Sequence, residues 1–197
     1  MDSDTMKLGI IADIHADHRA LTKALDRWNK DEGVDAIVCA GDVVGKGPMP
    51  NQAAALMGYH KIPNVLGNHD QRSLEKGFAK SGGQLVALNQ EALDYLGQTP
   101  ATQTWSWEGV RVMAAHGTPS CNRTYVFAQD VPERLHQDLA VKPPDVLILG
   151  HTHKPMCIRV GQTLVVNPGS VCLLKRQDSH TCAILELPSL DFRVLSL

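Results

Sequence analysis

Short apolar runs, each closed by a polar cluster, recur along this 197-residue chain. Residues 7–12 (Lys-Leu-Gly-Ile-Ile-Ala) form the first run and lead straight into Asp13-Ile14-His15. Ala20, Leu21, Ala24, Leu25 and Trp28 follow at spacings of three and four. That period predicts an amphipathic helix, with Asp17 as its N-cap and Gly33 as its end. Residues 35–40 are a second buried run and end in Gly41-Asp42. Strand, helix and strand make a βαβ unit, so the two strands are expected to be parallel neighbours. After a loop over 45–50 and a helix over 51–59, a third strand over 62–66 leads to Gly67-Asn68-His69-Asp70.

Residues 71–104 read as mostly helical and irregular. Leu85, Leu88, Leu93 and Leu96 mark a helix over 84–96, and Trp105-Ser106-Trp107 alternates like an edge strand. A strand over 110–115 ends in His116-Gly117-Thr118-Pro119, and a modest helix over 131–139 has Asp130 as its candidate cap. The strand over 145–149 ends in Gly150-His151-Thr152-His153. A hairpin over 156–160 and 162–166, a tight turn over 167–170 and two final antiparallel strands over 181–187 and 192–197 complete the pattern. No repeat or low-complexity segment interrupts it.

The length suits one domain over residues 1–197, and 43% hydrophobic residues supply a sizeable core. The formal net charge is −2 and the pI near 6.5, so no basic face advertises long nucleic acid. A small nucleotide substrate remains compatible with that balance. The apolar runs are too short to span a bilayer, and the polar start Asp2-Ser3-Asp4-Thr5 lacks the pattern of a secretory signal. Five cysteines, none in a Cys-x-x-Cys pair, point to free thiols in a reducing cytoplasm. Most lie in apolar runs and are expected to be buried, with Cys121 the more exposed exception.

The polar strand ends carry the chemistry. Asp13, His15, Asp42, Asn68, His69, Asp70, His116, His151 and His153 include five of the nine histidines. His18, His60, His136 and His180 read as ordinary structural or surface residues. Carboxylate, amide oxygen and imidazole without thiolate suit Mn, Fe, Co, Ni or Zn. Asp13 and His15 lie two apart in an extended segment and can chelate one ion; His151 and His153 can reach two. Two divalent ions against two carboxylates leave a positive hole for an anionic phosphate. Lys46 and Arg123 are candidate contacts to that phosphate from loops, against the plainer reading of solvated surface cations.

Asp13-x-His15, Gly41-Asp42, Gly67-Asn68-His69-Asp70, His116 and Gly150-His151-x-His153, in that order, resemble the calcineurin-like metallophosphoesterase superfamily. The chain is most similar to its small single-domain bacterial phosphodiesterase branch. The resemblance spans roughly residues 7 to 185. It implies an αββα sandwich of two mixed β-sheets flanked by helices. It also implies two divalent transition-metal ions, manganese first among them. Asp13, His15, Asp42 and His153 would hold the first ion, and Asp42, Asn68, His116 and His151 the second. A bridging hydroxide would attack phosphorus, His69 would assist the leaving group and Asp70 would orient the His69 ring. Ala12, Asp17 and Lys46 stand where this branch often has Ser, Asn and Tyr, which bears on substrate preference. The implied activity is phosphodiester hydrolysis. Alternatives are a phosphomonoesterase or nucleoside-polyphosphate hydrolase on the same site, or a scaffold like the retromer subunit of this superfamily.

Overall fold

The computed structural model of the protein describes residues 5–28, 32–174, 176 and 178–197. In chain order its elements are β1 (Met6–Ile11), α1 (His18–Arg27), β2 (Ala36–Cys39), α2 (Pro50–Tyr59), α3 (Asn68–Lys76), β3 (Phe78–Ser81), β4 (Gln84–Ala87), α4 (Gln90–Gly97), β5 (Thr102–Trp107), β6 (Val110–Ala115), α5 (Glu133–Val141), β7 (Val146–Ile148), β8 (Pro155–Val160), β9 (Thr163–Pro168), β10 (Thr181–Leu187) and β11 (Asp191–Ser196).

Alternation along β1 decides the layers. Leu8 and Ile10 face a core between two sheets, whereas Ile11 faces a core beneath helices. A four-stranded sheet has the order β11-β10-β1-β2, and a five-stranded sheet has the order β5-β6-β7-β9-β8. Both are mixed: β1–β2, β6–β7 and β7–β9 are parallel, and the remaining pairs are antiparallel. Between the sheets, Leu8, Ile10, Val38 and Leu185 meet Val112, Val146, Ile148 and Val166. Leu21 and Leu25 of α1, Met57 of α2 and Leu96 of α4 cover the outer face of the first sheet. Leu135 and Leu139 of α5 cover the outer face of the second. This is the expected αββα sandwich.

The βαβ reading holds: Leu8 pairs with Ala36 and Ile11 with Cys39, in parallel. Asp17 caps α1, accepting the Ala20 amide at 3.1 Å. β5 is an edge strand, with the Trp105 and Trp107 rings stacked at 5.2 Å. The described part of α1 ends at Arg27, and residues 29–31, within the stretch expected to lead to Gly33, lie outside the described residues.

Four expectations need correction. The strand over 62–66 reduces to a single bridge, Cys39 to Asn64, because Pro63 lacks a donor. It still extends the parallel layer through Cys39 N–H to Pro63 O (2.9 Å) and Val65 N–H to Cys39 O (3.2 Å). The helix over 84–96 divides into β4 and α4, since Asn89 caps the latter by accepting the Ala92 amide at 2.9 Å. Helix α5 starts at Glu133 behind Pro132, with no side-chain cap from Asp130. Cys157 is exposed, because period-2 alternation on the outermost strand β8 turns it outward.

Candidate metal centre

The strand ends meet because their loops are tied to one another by backbone bonds. Asp13, His15 and Ala16 N–H donate to Gly41, Asp42 and Val43 carbonyls at 2.8–2.9 Å. Gly150 N–H donates to His116 O at 2.9 Å, and Ser170 Oγ–H to Asp13 O at 2.9 Å. Asn167 Nδ2 donates to Gly150 O at 2.7 Å, so the 167–170 turn braces the site from behind. A Cβ on Gly67 would collide with the Asp42 carboxylate, which is why a glycine precedes Asn68.

Asp13 and His15 are not extended as expected. Asp13, His15, Asp42, Lys46, His151 and His153 all have positive φ, between 50° and 70°. Such backbone is uncommon outside glycine and concentrates at functional sites. It still brings the donors together: His15 Nε2 is 3.7 Å from Asp13 Oδ1 and 3.7 Å from Asp42 Oδ2. His153 Nε2 is 3.3 Å from Asp13 Oδ1, and His116 Nε2 is 3.3 Å from Asp42 Oδ2. Asp13, His15 and His153 can bring their donor atoms within 4.8 Å of one another, and so can Asp13, Asp42 and His116. Asn68 Oδ1 lies 3.1 Å from His116 Nε2.

Each carboxylate gives one oxygen to the scaffold and one to the site. Asp13 Oδ2 accepts the His151 amide at 2.9 Å, and Asp42 Oδ1 accepts the His69 amide at 2.8 Å. Asp13 Oδ1 is fully buried with no hydrogen-bond partner. A buried anionic oxygen left bare is costly. Two imidazoles are also oriented from behind: Nδ1 of His116 contacts Ala40 O at 2.7 Å, and Nδ1 of His153 contacts Asp178 Oδ1 at 2.9 Å. Both therefore aim Nε2 inward, the arrangement typical of metal-ligating histidines. The donor set and the bare oxygen fit divalent metal.

Electrostatics reflect the crowding. Burial alone would raise Asp13 and Asp42, but the nearby His153, His116 and His15 imidazoles hold Asp13 low, and His116 and His15 hold Asp42 low. Burial pushes His15 down to about 3 and His151 to about 4. His116 rises to about 9, the Asp42 carboxylate outweighing burial. Burial also lowers His69.

His151 stands apart from the ligand groups. Its ring stacks on Tyr125 at 4.0 Å and 15°, with Nε2 3.2 Å from the Arg123 carbonyl. Arg123 thus reaches the site through its backbone; its exposed side chain borders a separate depression beside Gln71 and Thr118. Lys46 does enter the site: its Nζ lies 2.8 Å from His15 Nε2 and 3.2 Å from His153 Nε2. His69 sits edge-on to His15, with ring centroids 5.0 Å apart.

The role expected of Asp70 changes. It lies in the first turn of α3 and accepts the Val44 amide at 2.8 Å, Val43 at 3.1 Å and Gly67 at 3.2 Å. Three backbone donors occupy both oxygens, so Asp70 fixes the Asp42 loop and the helix start, not the His69 ring. Asp178 and Tyr125 went unnoticed as site residues in the sequence; no periodicity or motif marks either one.

A family model described as the calcineurin-like phosphoesterase superfamily domain matches residues 6–189. The phosphodiesterase YfcE of Escherichia coli K12 is 30% identical over 184 residues, 92% of this chain and 88% of YfcE. A metallophosphoesterase structure from Sphaerobacter thermophilus superposes with a TM-score of 0.73 at 24% identity, covering 98% of this chain and 89% of that one. A hypothetical protein from Pyrococcus horikoshii OT3 superposes with a TM-score of 0.77 at 17% identity, covering 98% and 88%. With strand order and family match in agreement, the chain belongs to the calcineurin-like phosphoesterase superfamily and is a metal-dependent phosphoric ester hydrolase.

Proposed function

We propose that residues 1–197 form one catalytic domain that hydrolyses small phosphodiesters at a dinuclear centre. Asp13, His15, Asp42 and His153 would hold one divalent ion; Asp42, Asn68, His116 and His151 would hold the other. The observation that carries the reading is the pair of ligand groups joined at Asp13, with its buried bare oxygen. Asp42 Oδ2 lies between His15 and His116, which supports its assignment to both ligand groups. Bound there, divalent ions supply positive charge to the phosphoryl oxygens and acidify water to near neutrality. Manganese is the first choice on family resemblance; the carboxylate, amide and imidazole donors suit it as they suit Fe, Co, Ni or Zn.

His69 handles the leaving group. Its amide is fixed on Asp42, and Gly45 gives its ring room: a Cβ there would lie 2.9 Å from Nδ1. Burial disfavours its charged form, and an arriving phosphoryl anion restores it. The ring is then ready to give a proton to the departing oxygen. Lys46, beside His15 and His153 of the first group, contacts the phosphate. Similarity to a phosphodiesterase supports diesters over monoesters. The five free cysteines fit a reducing, cytoplasmic setting.

The test is hydrolysis of bis(p-nitrophenyl) phosphate with Mn(II). Asp42→Asn and His69→Ala should each lower kcat at least 100-fold, and a chelator should abolish turnover. Undiminished turnover in either variant, with metal content unchanged, would overturn the assignment.

A further inference from the structure

A cleft of about 300 Å³ opens beside His69, between α3 and the β3–β4 hairpin. Lys46 and His69 border it where it adjoins the metal centre. From there Arg72 and Lys76 continue along α3, and Phe78 and Lys80 line it from β3. The sequence builds both walls. His69, Arg72 and Lys76 lie three and four apart, so they share a helix face and form a stripe roughly 10 Å long. Phe78 and Lys80 lie two apart on a strand and share its face.

The wall chemistry is one-sided. Four cations, Lys46, Arg72, Lys76 and Lys80, border the cleft, and no carboxylate lies among its lining residues. Among the described residues, Arg72, Lys76 and Lys80 make no ion pair. Like charges four apart on a helix cost stability, and this chain carries a net charge of −2. A concentration of unpaired cations in one concavity therefore points to an anion. Phe78 adds an aromatic surface, with Lys76 Nζ 5.9 Å from its ring centroid. A larger depression of about 600 Å³ near Tyr95 and Gln98 shares no residue with the metal site.

We propose that this cleft holds the leaving portion of the substrate, and that this portion is a nucleoside polyphosphate: phosphates along Arg72, Lys76 and Lys80, aromatic base against Phe78. The inference rests on the hydrolase reading, because His69 assigns the leaving side. In the reaction, water adds to the attacked phosphorus and gives up a proton to solvent, which makes good the one His69 donates, and the bond from phosphorus to the leaving oxygen breaks. The electron pair stays on that oxygen, which takes a proton from His69. The departing nucleotide then lies in the cleft.

Binding separates this proposal from catalysis. Chelator-treated protein is titrated calorimetrically with ADP and, separately, with inorganic tripolyphosphate. Wild type should bind both. The double variant Arg72→Ala/Lys76→Ala should bind each at least tenfold more weakly; both side chains are exposed, and an unchanged melting curve checks its fold. Phe78→Leu should weaken ADP at least threefold and leave tripolyphosphate unchanged. With Mn(II), the double variant should lower the ratio of kcat/KM for diadenosine tetraphosphate over bis(p-nitrophenyl) phosphate at least tenfold. Equal ADP binding by wild type and double variant, or none by wild type, overturns the cleft even where the diester is hydrolysed. Equal effects of Phe78→Leu on both ligands overturn the base contact. Charge-dependent ADP binding without turnover of any ester overturns the hydrolase reading and leaves the anion cleft standing.

Discussion

The ammonium of Lys46 lies 2.8 Å from Nε2 of His15, the nitrogen that a metal ion would need. It lies 3.2 Å from His153 Nε2 as well. An imidazole lone pair accepts either an N–H or a metal, not both, so Lys46 would compete with an ion bound at these nitrogens. Its backbone, at φ 57° between Gly45 and Gly47, aims the side chain into this spot. Lys46→Met should therefore tighten Mn(II) binding about tenfold, in line with about 1.4 kcal/mol for a lost competing hydrogen bond. Isothermal titration of metal-free protein measures it. Unchanged affinity would mean that the ammonium swings clear at no cost.

Asp178 would act on the same ion from behind, through His153. Its carboxylate sits 2.9 Å from His153 Nδ1 and accepts the Leu174 amide at 3.1 Å, which anchors the pair to the 171–180 segment. Holding Nδ1 protonated keeps Nε2 free to ligate. Removal of such an outer partner usually costs 10- to 100-fold in metal affinity. Asp178→Ala should show a loss of this size in Mn(II) titration, with turnover recovering at high Mn(II). A kcat defect that saturating metal does not rescue would place Asp178 in the reaction itself.

Much of this architecture is legible in the sequence, because each run of β1, β2 and β7 is apolar on both faces and each ends in a polar cluster. Parallel strands buried between helices and a second sheet require such runs, and their C-terminal ends meet by topology. The clustering of the polar strand ends followed from that rule. Asp178 did not, because it lies in an irregular segment whose path depends on β9 and β10 packing. The β3–β4 hairpin was equally hidden: residues 84–96 carry leucines at mixed spacing, and only the Asn89 cap separates strand from helix. With the hairpin missing, the cleft beside His69 has no second wall. Asp70 was misread for a different reason. Its neighbour in sequence is His69, yet its oxygens face the Val43 and Val44 amides of another loop.

That arrangement makes Asp70 a stability residue. Three buried amides depend on its two oxygens. Burial and the Asp42 carboxylate push its own carboxyl up to about 7, against those donors. Asp70→Asn keeps the shape but places an amide N–H against backbone N–H groups. An unsatisfied buried donor costs about 1–3 kcal/mol, so the variant should lose about 2 kcal/mol in urea unfolding. A variant of native stability whose activity alone is impaired would instead favour action on the His69 ring.

The metal-free site should give the protein a stability maximum near neutral pH. Burial lowers His15 from 6.5 to about 3, with Asp42 and Asp13 only partly opposing it. Between those values the unfolded chain binds the proton and the folded one does not. Stability from this group is thus complete above about 6.5 and is lost as pH falls, by at most on the order of 5 kcal/mol. His151, lowered by burial to about 4, has the same sign. Asp70, raised to about 7 by burial and the Asp42 carboxylate, contributes stability that is lost as pH rises from about 3.8 to 7, and it offsets part of that gain. His116 also has the opposite sign to His15. Burial would lower it, but Asp42 raises it to about 9, so the folded state holds the extra proton. Its contribution is complete below about 6.5 and is lost as pH rises toward 9. A bound divalent ion takes the His116 nitrogen in its unprotonated form, so Mn(II) should flatten the alkaline arm. Urea unfolding with chelator at pH 4.5, 6.5 and 8.5 should peak at the middle value, and added Mn(II) should raise the pH 8.5 point most. A steady rise from 4.5 to 8.5 in chelator would show that His116 does not keep its proton in the folded, metal-free protein.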